Sequence, residues 1–437
     1  VTISVSLAWV AWSNDMSVDQ RKILVDELQV GMYVSRLDRP WIETPFPLQG
    51  FYVKDLAELD QLRRYCSEVT IDVSRGRVTA DPVKHEVGGS PRTQQVVAGT
   101  AQLRTKATAA KISKSVYRTT VSMPQEVSAS RELHRDFAQS VADIYQQLQA
   151  GHAPDVTYTR QIASRVVESI IRNPDAMVWL SRVREKDAYS YHHAFRCAIW
   201  GTVLGRHLGL SRQALDNLAF GLTLMDVGKA RLPDGLLNKV GLLLPAERVE
   251  LRKHVEYSVE ILSAMPETPS QVLQMVAEHH ERFDGSGYPN RLSGKAISPL
   301  GKIAGLVDTY DAMTSERPYA RALTSVEAVS RLYELRNTEF QSQLVEEFIQ
   351  AIGVYPTGTL VHLSNQEVGV VIAQNAERRL RPKLLVLLDV DRHSLRRPRY
   401  VDMMTTTHDS RGEPLRIITS LLPGAFGVDP AKVQLAA

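Results

Sequence analysis

Cysteine is nearly absent from this chain: Cys66 and Cys197 are the two in 437 residues. That excludes a disulfide scaffold and a cysteine-rich zinc site, and it fits a reducing compartment. A charge excess is also missing. Lys and Arg total 52 against 49 Asp and Glu, a net charge of +3, so no whole-chain field argues for nucleic acid or an anionic membrane surface. No run approaches the roughly 18–20 uninterrupted apolar residues of a membrane-crossing helix. The apolar dozen from Val1 to Trp12 lacks the basic flank and small-residue cleavage site of a secretory signal. Residues 1–15 are read as a disordered upstream extension, and the expected location is the cytoplasm. What is present is ordinary globular composition, 43% hydrophobic and 23% charged, enough for a large core and for two to four domains at roughly 100–200 residues each.

Residues 16–80 read as a small mixed α/β domain. Gly31 to Val34 is a turn entering a strand, Leu56, Leu59, Leu62 and Tyr65 recur at helical spacing, and Val69 to Val73 reads as a strand. Pro40, Pro45 and Pro47 rule out a helix interior between them. Residues 81–130 have no sustained apolar period and read as a linker, with Arg104, Lys106, Lys111, Lys114 and Arg118 as solvated charge rather than a nucleic-acid contact. From 131 to 355 the period is helical. Phe137, Val141, Ile144 and Leu148 share a face closed by Gly151, and Ile162, Val166 and Ile170 share another closed by Asn173-Pro174. Further helices are expected over about 190–208, 211–229, 246–265, 270–283, 299–314, 325–336 and 340–352. Beyond Pro356 the pattern alternates, at Thr359–Leu363, Val368–Ile372 and Leu384–Leu388, which marks a short β-rich module over 356–437. The expected fold class is mainly α: a helical core, preceded by a small mixed α/β domain and followed by a β-rich module.

The helical core carries unusual polar spacing. His193 shares a face with Cys197, Gly201 and Leu204. Asp226 ends the helix of Leu215 and Leu222, with Lys229 one turn further on the same side; His254 follows Leu251 at i+3. His279 and His280 close a helix lined by Val272, Leu273 and Val276, and Asp308 follows Ala304 at i+4. Alone, each is most simply a satisfied core or boundary group. Together, the six are costly to bury unpaired and satisfy one another around one or two cations. Imidazole and carboxylate suit iron, manganese or zinc rather than calcium, and a bridging aspartate suits water activation and phosphoryl clamping. The run from His279 to Pro289 follows its two histidines with two glycines and a proline, a tight exposed loop with Tyr288 at its tip, where a phenol can pack against a nucleobase.

These residues resemble the HD-GYP domain, whose Gly-Tyr-Pro stands here at 287–289. Supporting matches are Asp226-Val227-Gly228-Lys229, Leu232-Pro233-Asp234, Leu237 to Gly241, His254, Asp308 to Thr314 and Arg317-Pro318-Tyr319, together covering about 185–325. The stretch 20–75 is similar to a domain often found ahead of such modules. The resemblance implies an all-helical HD-type metal-dependent phosphohydrolase core and a bacterial phosphodiesterase that hydrolyses cyclic di-GMP to pGpG, or to GMP after a second cut. Carried over residue by residue, His193, Asp226, His254, His279, His280 and Asp308 match metal ligands, with Asp226 as the bridge. Lys229 matches the lysine near the scissile phosphate, and Gly287, Tyr288, Pro289 and Arg317 match ligand contacts. Asp226 and Lys229 are thus the implied catalytic residues, with metal-activated water attacking phosphorus and Lys229 stabilising charge on the phosphoryl oxygens.

Departures from the family pattern sharpen the expectation. The defining His-Asp pair is Met225-Asp226 here, so the metal shared by His193, Asp226 and Asp308 lacks an imidazole. Two divalent transition metals, iron or manganese, are implied, the one at that site bound weakly and the one held by His254, His279, His280 and Asp226 bound normally. Tyr189 replaces the glutamate of three-metal members, and Ala320 a basic residue that often follows Arg317 by three positions. Expected partners are cyclic di-GMP and signalling proteins, with a homodimer allowed, and no nucleic acid. The rival reading is a degenerate HD-GYP protein that binds cyclic di-GMP or a protein partner without cleavage. Of the remaining polar groups, Glu281 and Asp284 read as orienting the histidine pair and capping the loop, and His192 as facing away from the inner side.

Overall fold

The computed structural model describes residues 20–38, 51–53, 55–72, 117–181, 189–239, 241–265, 268–316, 321–375 and 379–433. The expected extension at 1–15, most of the linker and Arg317 to Ala320 lie outside the described residues. The chain divides into two compact units, residues 1–108 and 109–437.

In the first unit, β1 (Gln20–Leu24), β2 (Tyr33–Leu37), β3 (Phe51–Tyr52) and β4 (Glu68–Asp72) form an antiparallel sheet in the order β1-β4-β2-β3. Helix α1 (Leu56–Tyr65) starts at Asp55, whose carboxylate accepts from the Glu58 amide at 2.8 Å and satisfies one of the four open N-terminal donors. Its Leu59 and Leu62 join Val34, Val53 and Val69 in a small core. The mixed α/β reading of this segment matches these elements.

The second unit is helical up to Ile352. Helix α2 (Met123–Gln149) begins eight residues before the boundary that the sequence pattern suggested. Pro124 in its first turn is pre-set for a helix start, and only from Val127 onward does a buried apolar stripe become readable. Helices α3 (Thr157–Arg172) and α4 (Pro174–Leu180) follow, divided at Asn173. Helix α5 (Tyr189–His207) is central: Phe195, Cys197 to Trp200 and Leu204 are all at most 2% exposed. Helix α6 (Arg212–Leu224) ends earlier than the expected 229, and Asp226 lies in the turn that leads to a short 3-10 segment at Val227–Arg231. The helix expected over 246–265 is two: after the short α7 (Asp234–Leu237), α8 (Pro245–Arg252) and α9 (His254–Ser263) are separated at Lys253. Then come α10 (Ser270–Glu278), α11 (Pro299–Thr314), α12 (Ser325–Glu334) and α13 (Ser342–Ile352). Trp200 of α5, Tyr310 of α11 and Phe348 of α13 meet edge-to-face in the core.

The β-rich module is an antiparallel sheet ordered β8-β7-β6-β5-β9. Its strands are β5 (Leu360–Leu363), β6 (Val368–Ala373), β7 (Lys383–Leu388), β8 (Ser394–Asp402) and β9 (Ile417–Leu421). Asp175 at the start of α4 ties the module to the core, accepting from the Thr357 hydroxyl at 2.6 Å and the Gln374 amide at 3.3 Å. Among the described residues no helix is long and apolar enough to cross a membrane.

Candidate metal centre

Five segments deliver the six expected residues to one place. His193 comes from α5, Asp226 from the turn after α6, His254 from the first position of α9, His279 and His280 from the end of α10, and Asp308 from α11. Close approach is needed to bring them together, and glycine permits it. A Cβ on Gly228 would lie 2.2 Å from the His254 carbonyl oxygen and 2.4 Å from the Ser258 nitrogen, so the turn carrying Asp226 can sit against α9 only without a side chain.

Three imidazoles are oriented by their second nitrogen. His254 Nδ1 donates to the Leu251 carbonyl at 2.7 Å, and His279 Nδ1 donates to the Val276 carbonyl at 2.7 Å, each three residues back. His193 Nδ1 donates to Asp311 at 2.8 Å. In each ring Nε2 is therefore the nitrogen turned toward the centre, the orientation of an imidazole that ligates through Nε2. These atoms surround Asp226: His254 Nε2 is 3.3 Å and His279 Nε2 3.9 Å from Oδ1, and His193 Nε2 is 3.6 Å from Oδ2. His280 Nε2 faces His254 Nε2 at 3.1 Å, and its Nδ1 is 3.8 Å from Asp308, which in turn lies 3.1 Å from His193 Nε2. All six expected ligands are thus brought together.

Two observations test whether a cation suits this arrangement. Asp226 Oδ1 and His279 Nε2 are buried with no hydrogen-bond partner, a costly state that a cation between them relieves. Asp226, His254, His279 and His280 also present four ligand atoms all within 4.8 Å of one another, a mixed N/O set suited to iron, manganese or zinc. The electrostatics divide the rings: burial opposes a charge on His193, yet Cys197, Asp308 and Asp311 raise it well above the ordinary histidine value. Burial pushes His279 down to about 4 and His280 well below the ordinary histidine value, so both rings are neutral ligands at neutral pH. Burial alone would raise Asp226, but Lys229, with its Nζ 2.6 Å from Oδ2, and His254 hold it well below the usual carboxylate range.

One group the sequence reading passed over is Asp311. Fully buried, it accepts from His193 and from both Nε and Nη2 of Arg196, at 2.6 and 3.1 Å. Burial opposes its ionisation, yet Arg196 and His193 hold it down to about 2. Its place one turn after Asp308 was the available signal. Glu281 accepts from the Asn290 and Leu292 amides, at 2.7 and 2.9 Å, and so closes the Gly-Tyr-Pro loop; Asp284 accepts from the Ser286 amide at 2.9 Å. His192 stacks on His134, away from the centre, as expected.

The loop itself corrects one expectation. Tyr288 is not an exposed tip. It is half-buried, stacked on His280 with centroids 4.6 Å apart and 23° between planes, and the Arg252 guanidinium carbon lies 4.6 Å from its ring centroid. Gly287 is buried because a Cβ there would meet the backbone of 280–282 at about 2.5 Å, and Pro289 is exposed. The two glycines and the proline fold the loop back on the histidine pair instead of projecting it. Met225 is also buried, alongside Leu218 and Leu222. Arg317 lies outside the described residues.

Comparison with known proteins gives this geometry its family. Residues 177–344 match the HD domain, 20–159 a domain of unknown function (DUF3391) and 360–408 the KOW domain associated with HD domain. A cyclic di-GMP phosphodiesterase of Pseudomonas aeruginosa is 30% identical over 369 residues, 84% of each chain. The chain belongs to the HD-GYP family. Other relatives align over a shorter stretch. A 3′3′-cGAMP-specific phosphodiesterase of Vibrio cholerae is 36% identical over 39% of this chain and 32% of its own. A cyclic di-GMP phosphodiesterase response regulator of Xanthomonas campestris is 35% identical over 34% of this chain and 39% of its own.

Proposed function

We propose that this HD-GYP chain is a metal-dependent phosphodiesterase that hydrolyses cyclic di-GMP, the activity named for its long relative in Pseudomonas. The observation that carries the reading is the convergence of oriented imidazole Nε2 atoms on Asp226, with Lys229 and Tyr288 at the same centre. His254, His279, His280 and Asp226 would hold one metal; His193, Asp308 and Asp226 would hold a second, more weakly because Met225 brings a thioether where the family has an imidazole. Iron or manganese there supplies Lewis acidity toward the phosphoryl oxygens and a more acidic water.

The chain's own groups set the rest. Asp226 stays ionised and anchors Lys229, whose side chain is 28% exposed. That cation opposes the negative charge that grows on phosphorus-bound oxygen in the transition state. Asp311 fixes the His193 ring, and Arg196 keeps Asp311 ionised. Tyr288 offers a phenol edge beside His280, and Arg317 a further contact to the ligand. The product is pGpG, or GMP after a second cut. The reaction belongs in the cytoplasm, where the buried thiols of Cys66 and Cys197 stay reduced. Chromatography of cyclic di-GMP incubated with the manganese- or iron-loaded protein tests the reading: linear product is expected, and intact dinucleotide with both metals overturns it in favour of a non-cleaving receptor.

A further inference from the structure

At the rim of the centre, Arg252 has no part in the chemistry above. It is the last residue of α8, two positions before His254, and its side chain is exposed. Its guanidinium carbon lies 4.6 Å from the Tyr288 ring centroid, and that ring stacks on His280, so ligand imidazole, phenol and guanidinium are linked by successive ring contacts. Neighbouring cations are engaged elsewhere: Arg282 with Glu339, Arg231 with Glu260, Arg196 with Asp311 and Lys253 with Glu250. Among the described residues Arg252 has no carboxylate partner, and α8 buries none of its residues, so no packing requirement fixes an arginine there. A guanidinium held over a ring keeps its N–H donors in its own plane, free at the edge, where two of them can bind one planar partner in parallel.

A cyclic dinucleotide offers two kinds of acceptor. Its phosphates would be met by Lys229 and the metals that the six-residue centre would hold. Its guanine presents O6 and N7 side by side, the pair that an arginine fork matches, whereas adenine carries an amino group in place of O6. We propose that Arg252 is a specificity residue that reads the O6/N7 edge of one guanine of the bound cyclic dinucleotide. The inference rests on the cyclic di-GMP reading above. In cyclic di-GMP either guanine serves. In 3′3′-cGAMP only one base does, so the ligand is held in a single orientation and one of its two phosphodiester bonds faces Lys229. Water adds to that phosphorus, its P–O3′ bond breaks, the departing O3′ takes a proton, and one linear isomer, pGpA or pApG, results.

The full chain, manganese-loaded, is assayed as wild type, Arg252→Ala and Arg252→Lys, the lysine retaining charge but not the fork. With 3′3′-cGAMP the wild type is expected to yield one linear isomer in at least about tenfold excess, and both variants a near-equal mixture. Affinities for cyclic di-GMP and cyclic di-AMP, measured on the same proteins, are expected to differ about tenfold or more in the wild type and to converge in both variants. An unchanged isomer ratio with an unchanged affinity ratio, or equal weakening toward both ligands, overturns the role of Arg252. Wild-type protein that binds cyclic di-GMP selectively through Arg252 without cleaving it overturns the phosphodiesterase reading and leaves this one standing. Wild-type protein that binds neither ligand overturns both.

Discussion

A hydrogen bond from one imidazole nitrogen fixes the ring so that the other can ligate, and His193, His254 and His279 each have Nδ1 engaged in this way. The six expected ligands could be named from the sequence by motif order and spacing, and the structure brings those six side chains together. Asp311 and Arg196 could not be named in this way, because an acid and a base on two helices look like any surface pair until α5 is known to lie against α11. Their removal should matter. Asp311→Asn replaces one acceptor oxygen of the His193 clamp with a donor, and metal affinity is expected to fall about 10–100-fold in a chelator competition; unchanged affinity would make the clamp dispensable. Met225 is the opposite case, visible in the sequence and buried in the structure. Met225→His is expected to raise metal occupancy toward two per chain. No gain in metal analysis would mean that this side chain does not reach the site.

Among the elements, the sequence period carries through breaks that the backbone makes. The pattern over 246–265 predicts one helix, yet Lys253 separates α8 from α9, because a single-residue turn leaves the apolar face almost in phase. That break gives His254 the first position of its helix. Strand β8 was missed for a different reason: on an edge and largely exposed, it shows no alternation of apolar and polar residues to read. The start of α2 hides an acid whose partner lies on α3. Glu126, 1% exposed, pairs with Arg172 Nε and Nη2, each at 2.8 Å, and accepts from Ser130. Burial opposes its ionisation, but the hydrogen bonds from Arg172, Ser169 and Ser130 hold its carboxyl below the ordinary value of 4.5. An acid depressed on folding contributes stability that is complete above its unfolded value and lost as pH falls through the folded one. Glu126→Gln is therefore expected to destabilise the protein by about 1–3 kcal/mol at pH 7 and to flatten the acid limb of the denaturation profile below about pH 4.5. A parallel acid limb in the variant would remove Glu126 from the account.

Taken whole, the molecule keeps its chemistry in one unit. All six expected ligands, Lys229 and the Gly-Tyr-Pro loop belong to residues 109–437, where the β-rich module is also tied to the helical core through Asp175. The order of mixed domain, helical core and β module was legible from changes in period, whereas the Asp175 link was not, since nothing in a sequence joins position 175 to 357 and 374. The central claim is that Asp226 is shared by metal and phosphate chemistry at the meeting point of five segments. It is tested most directly by measuring, on the same anaerobically purified samples, metal content and cyclic di-GMP turnover in the wild type and in Asp226→Ala. The account predicts bound iron or manganese and linear product in the wild type, with both lost together in the variant. Full metal content and undiminished turnover in Asp226→Ala would contradict it.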